Sequence, residues 1–266
     1  MAYKWTILLR ASGMSVSNRI TFKAYYIGSF WSSLLPFSIG GDMIRIRWLM
    51  KRMQGGAIIV SSVVIERLLG AFALAIVASG SFILLMVYLD LRLPALSMSI
   101  FLLLVVSIIA VMALFSRSAH DIVKKLMSRL PFDGVSDVIE KVKTETMAFK
   151  EKPWLLMFFL ILSILEQAFS ISSVFIMAKV FSIDLSLMWA IIGVPLILAI
   201  AKMPISVNGL GVQEGAFALI FSFAGVPLTG SVMMCVMDRV LMLLATLPGA
   251  LWTASVSKRN KGVPGI

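Results

Sequence analysis

Residues 57–89 read AIIVSSVVIERLLGAFALAIVASGSFILLMVYL, and only Glu66 and Arg67 in that run carry charge. At about 1.5 Å rise per residue, the run is longer than the roughly 30 Å hydrocarbon core of a bilayer requires. The pattern predicts an approach segment over 57–65 and a membrane span over 66–89. A chain in lipid must satisfy its own backbone, and an unbroken apolar run does so as a helix. The alternation of a membrane β-barrel is absent.

Working outward, residues 97–115, 154–178, 185–201 and 229–256 read as further spans. Two apolar segments are interrupted instead. Residues 24–39 end at Pro36 and the Gly40-Gly41 pair, and residues 204–226 hold four glycines and a glutamate. Both predict broken or re-entrant helices. The expected fold is all-α: a polytopic helical membrane protein of about six to seven spans, organised as a single membrane domain over 1–266. Composition agrees, since 60% hydrophobic and 14% charged residues leave too little polar surface to cover a soluble domain.

The net charge of +11 has a topological reading. Lys and Arg cluster at 45–52, at 258–261 and in 116–152, which has eight basic and six acidic residues. Basic loops stay on the cytoplasmic side, so these three stretches, the C-terminus included, are expected in the cytoplasm beneath a plasma (inner) membrane. The span count permits this: 66–89 runs outward, 97–115 inward, 154–178 outward, 185–201 inward, 204–226 outward and 229–256 inward. The side of the N-terminus stays open. Ile122, Val123, Leu126 and Leu130 recur at helical spacing and predict an amphipathic surface helix within 116–152. No basic groove with interleaved aromatics suggests a nucleic-acid partner. The single Cys235 and single His120 suggest no disulfide, metal site, cofactor or His-based catalytic centre. Trp31, Trp154, Trp189 and Trp252 fall near span ends and suit an interfacial belt.

The polar residues inside the apolar segments form two similar sets. Pro36 leads to Gly40-Gly41-Asp42, and Glu66-Arg67-Leu68-Leu69 follows. Pro204 leads to Asn208, Gly209, Gly211 and Glu214, and Asp238-Arg239-Val240-Leu241 follows. Asp42 to Glu66 and Glu214 to Asp238 are each 24 residues apart. The half-repeats cover about 20–90 and 190–256, and the charge-derived directions make them opposed, which predicts an inverted-topology repeat. Chance also supplies Gly and Pro to membrane helices, so the repeat is an expectation for the structure to meet.

An ionised side chain at mid-bilayer costs about 2.5–3.5 kcal/mol on insertion scales, so Glu66, Arg67, Glu166, Glu214, Asp238 and Arg239 need partners or a task. Adjacent acid–Arg residues project about 100° apart and are expected to pair across helices. Arg67 would meet Glu214 or Asp238, and Arg239 would meet Asp42 or Glu66. Glu66-Arg67 could equally lock helices together or snorkel at the interface. Glu166 sits alone in its apolar run and reads as a substrate or proton group.

At these motifs the chain resembles a flippase-like membrane family named for the transmembrane region of lysylphosphatidylglycerol synthases. The resembling residues are Leu35-Pro36-Phe37-Ser38-Ile39-Gly40-Gly41-Asp42 with Arg45, Glu66-Arg67-Leu68-Leu69, the stretch from Pro204 to Gly215, Gly225-Val226 and Asp238-Arg239. The resemblance implies a domain that moves or presents an anionic or aminoacylated lipid, either a phospholipid or a polyprenyl-phosphate glycolipid. Headgroup phosphate would meet the glycine breaks with Arg45, Arg67 and Arg239, while Glu166, Glu214 and Asp238 would take a cationic headgroup or a proton. The synthases' soluble aminoacyl-transfer domain has no counterpart, so the chain is expected not to be an enzyme. Its start, Tyr3 to Arg10, resembles the end of an early helix, and one or two earlier spans are expected to be missing. The other function left open is a non-transporting accessory subunit, partnered by an envelope glycosyltransferase or a lipid synthase.

Overall fold

The computed structural model describes residues 1–35, 38–89, 94–116, 118, 135–202, 206 and 209–261. Ten α-helices occur among them: α1 Ala2–Ala11, α2 Asn18–Leu34, α3 Ser38–Met50, α4 Gly56–Leu89, α5 Pro94–Leu114, α6 Val135–Ala148, α7 Pro153–Val180, α8 Leu187–Ala201, α9 Val212–Ser222 and α10 Leu228–Lys261. The protein is an all-helical membrane protein. Gly56–Tyr88, Pro153–Val180 and Leu228–Thr253 are each long and apolar enough to cross a bilayer.

Local chemistry explains the boundaries. Pro153 takes the first position of α7, where its missing N–H costs nothing. The Ser186 hydroxyl accepts the Trp189 N–H at 3.3 Å and caps α8. Positive-φ residues close α1 at Gly13, α7 at Ser182 and α9 at Gly225.

Several predicted boundaries need correction. Residues 57–65 are not a separate approach: α4 is continuous, and its 34 residues extend about 51 Å. Gly40 and Gly41 do not break a helix. They lie inside α3, and the interruption falls between Leu34 and Ser38. In the second set, among the described residues of the expected 204–226 segment, the α-helix runs over Val212–Ser222. Trp189 is no belt residue, being buried edge-on against Tyr88 with ring centroids 5.6 Å apart. His120 and the apolar positions Ile122, Val123, Leu126 and Leu130 lie outside the described residues.

The chain divides into two compact units, Met1–Val64 with Arg239–Ile266, and Ile65–Asp238. Helices α4 and α10 each pass from one unit into the other. In the first unit α1, α2 and α3 enclose Trp5, Leu9, Met14, Ala24 and Leu49. The α2–α3 crossing is close because it is built on glycine. A Cβ on Gly41 would lie 2.2 Å from the Gly28 carbonyl oxygen. Small residues let membrane helices approach backbone to backbone. In the second unit α7, α8 and α9 pack around Leu185, Ile192, Leu196, Phe217 and Phe221.

Two stretches of the chain share an order of elements. Helix α3 is joined to α4 through 51–55, and α9 to α10 through 223–227. Each connection contains a positive-φ glycine, Gly55 or Gly225. Both following helices have 34 residues, and Glu66 and Asp238 each stand ten residues beyond the first residue of theirs. Each 24-residue spacing therefore runs from a short helix, through a turn, into a 34-residue helix.

Candidate functional site

The first unit holds a buried ionic and aromatic cluster. Asp42 and Arg45 lie three apart on α3 and so share a face. An Arg45 Nη donates to Asp42 Oδ1 at 2.9 Å. Arg45 is only 4% exposed and Asp42 8%. The guanidinium sits 4.8 Å from the Trp5 ring centre and 5.1 Å from that of Tyr25. Trp5 Nε1 in turn donates to Ser62 Oγ at 2.9 Å, tying α1 to α4. Gly28 leaves room for the Arg45 stem along α2. Desolvating two charges is expensive, and here the carboxylate and two π faces replace the lost water. Arg45 therefore belongs to the interior of its unit, not to a solvated basic stretch with Lys51 and Arg52.

The second unit holds the remaining acids. Glu66 is 8% exposed on α4 whereas Arg67 beside it is exposed, as their angular separation requires. Gln213 Nε2 approaches Asp238 Oδ2 at 3.5 Å, so α9 reaches the acid of α10. Glu214 Oε2 accepts the Gly211 N–H at 2.8 Å. That contact, with Glu214 at the third position of α9, caps the helix and sets a carboxylate against its positive end. Gly209 and Gly211 both have positive φ, which fits the glycine break predicted here. The Gly211 N–H at that break, however, already faces an internal anion. Glu166 is half-buried near the middle of α7. Asn208 lies outside the described residues. Arg239, half-buried on α10, belongs to the first unit.

The structure thus joins Asp42 to Arg45, Glu214 to Gly211, and Gln213 to Asp238. Sequence reasoning missed Trp5, Tyr25, Ser62, Gly28 and Gln213. The available signal was weak: two aromatics and a glycine in apolar helices, each with many equivalents elsewhere in the chain.

Residues 1–249 match the family model described as the lysylphosphatidylglycerol synthase TM region. The chain belongs to this family. The match covers the Asp42–Arg45 cluster and the Gln213–Asp238 contact. This family member is also 27% identical over 257 residues to a "UPF0104 membrane protein" of Methanothermobacter thermautotrophicus, an alignment covering 90% of the chain and 75% of that relative. No solved structure matches the chain.

Proposed function

We propose that this protein translocates an anionic or aminoacylated lipid, or presents it, between the two leaflets of a plasma (inner) membrane. The observation that carries the reading is the matched register of Glu66-Arg67 and Asp238-Arg239, placed identically in two 34-residue helices that follow short helices. Single charges in apolar helices can be structural. A repeated acid–Arg pair at one helical position suits the handling of a charged headgroup within the membrane. Helices of 13, 11 and 15 residues, namely α3, α9 and α8, span only about 20, 17 and 22 Å and stop short of a full crossing.

In this reading Arg67 and Arg239 supply the positive charge for a headgroup phosphate. Asp238, Glu66 and Glu166 serve an ammonium or a coupled proton. Arg45 and Glu214 hold the scaffold around the path. The basic stretches favour a cytoplasmic 116–152 and C-terminus, a topology in which the two hairpins would be opposed in direction. The cavity described below is lined by both the α7–α8 and the α9–α10 turns. These two turns thus share one end of the second unit, which is consistent with that topology. The reading assigns no bond-making step to the chain.

The test is leaflet exchange. The purified chain, reconstituted in vesicles with fluorescent lysyl-phosphatidylglycerol or a fluorescent polyprenyl phosphate, should expose inner-leaflet probe to an external quencher faster than empty vesicles do. Arg67→Gln combined with Arg239→Gln should abolish the gain. Exchange at the rate of empty vesicles for both lipids would reject translocation and leave the accessory role.

A further inference from the structure

The second unit contains a half-open cavity of about 330 Å³ that no predicted headgroup residue lines. Two helix ends build it in the same way. Helix α7 ends with Ser182 in the left-handed region, the Ser182 N–H donating to Lys179 O at 3.2 Å and the Ile183 N–H to Ala178 O at 2.8 Å. Helix α9 ends with Gly225 in that region, the Gly225 N–H donating to Ser222 O at 3.0 Å and the Val226 N–H to Phe221 O at 3.1 Å. This pairing of bonds closes a helix with a left-handed residue and turns the next side chain back. Those next side chains, Ile183 and Val226, meet over Gly230, where a Cβ would lie 3.4 Å from each. The result is an apolar floor.

The rim is polar and has one formal charge. Ser182, Asp184 and Thr229 line it, and no lysine or arginine does. Asp184 is exposed and forms no ion pair among the described residues. The C-terminal ends of α7 and α9 add partial negative charge, while the first turn of α10 adds the opposite sign. The sign of the site therefore rests on the carboxylate. Apolar surface with a few convergent polar groups, at the lower end of the usual 300–1,000 Å³ range or so, is the usual form of a small-ligand site.

We propose that this cavity binds a primary alkylammonium. The ammonium donates to the Asp184 carboxylate and the rim hydroxyls, and the alkyl chain lies on Ile183, Val226 and Gly230. The group could be a free amine or the ammonium of a lipid headgroup, since both present the same chemistry to the rim. The proposal does not depend on lipid translocation, because none of Glu66, Arg67, Asp238 or Arg239 takes part.

Titration calorimetry of the full chain in a neutral maltoside detergent tests it with hexylammonium, hexanol and hexanoate. Hexylammonium should bind at least tenfold more tightly than hexanol, and hexanoate more weakly than either. Asp184→Asn should bring hexylammonium to the affinity of hexanol while leaving hexanol unchanged. Gly230→Leu should fill the floor and weaken both, and Met233→Trp does the same from the wall if the leucine variant fails to fold. Competition by lysophosphatidylethanolamine assigns the site to a lipid headgroup, and its failure to compete assigns it to free amines. Equal affinity for hexylammonium and hexanol, or an Asp184→Asn variant that keeps the preference, overturns the proposal.

Discussion

Gly40 and Gly41 are neighbours in α3, yet only the replacement of Gly41 by alanine should lower stability. A Cβ on Gly41 would lie 2.0 Å from Ser32 Oγ and 2.2 Å from the Gly28 carbonyl oxygen, the latter a backbone atom on α2. A Cβ on Gly40 would lie 2.6 Å from Leu35 Cδ1, the far end of a flexible side chain. Overpacking a close interface costs about 1–3 kcal/mol, and a backbone clash belongs at the upper end. Alanine regains about 1 kcal/mol of helix propensity over glycine at either position. Gly41→Ala should therefore lose roughly 2 kcal/mol net, whereas Gly40→Ala should be neutral or gain up to about 1 kcal/mol once Leu35 rotates away. At about 2–4 °C per kcal/mol for a chain of this size, the Gly41 variant should unfold about 4–8 °C lower. Size-exclusion recovery after heating in detergent reads this directly. Equal shifts for the two variants, or an undiminished Gly41→Ala, would refute the glycine-on-glycine crossing.

Three other outcomes follow from single contacts. Arg45→Ala should cost about 3–5 kcal/mol because it removes one partner of a buried ion pair, and Asp42→Asn with Arg45→Met should recover most of the loss in the same heating assay. Ser182→Gly should raise the unfolding temperature slightly, since a left-handed non-glycine residue costs about 1–2 kcal/mol and glycine returns part of that as chain entropy, whereas Ser182→Val should lower it. Cys235 has no exposed surface, so a thiol-reactive dye should label it only as the second unit opens; rapid labelling of the cold protein would contradict its position.

The fold class was legible because apolar runs of membrane length have few other uses. The interruptions were half legible. The glycines of 209–211 adopt positive φ, as a break requires, but Gly40 and Gly41 are helical, and Gly41 serves proximity. Composition does not separate these two uses of glycine, because the first depends on its own backbone and the second on what lies across from it. The same limit hid the Arg45 cluster. Its members come from α1, α2 and α3, and no spacing along the chain brings Trp5, Tyr25 and Arg45 together. Local relations fared differently: the acid–Arg pairs kept their register, since a position within one helix is fixed by counting residues.

The two halves share a frame, but their carboxylates do different work. Asp42 neutralises Arg45 inside the first unit, and Glu214 caps α9 through Gly211. Both are committed to holding a short helix, by unlike chemistry. A mechanism requiring symmetric headgroup binding at the short helices would need these positions to be alike. The likeness lies instead in the long helices, where Glu66-Arg67 and Asp238-Arg239 occur at one register. If the protein moves a charged headgroup, Asp238→Asn should therefore slow leaflet exchange more than Glu214→Gln does. Glu214→Gln should instead lower the unfolding temperature, since a neutral amide faces the α9 N-terminus less favourably, by about 0.3–1 kcal/mol. The reverse ranking in exchange would move the path to the short helices.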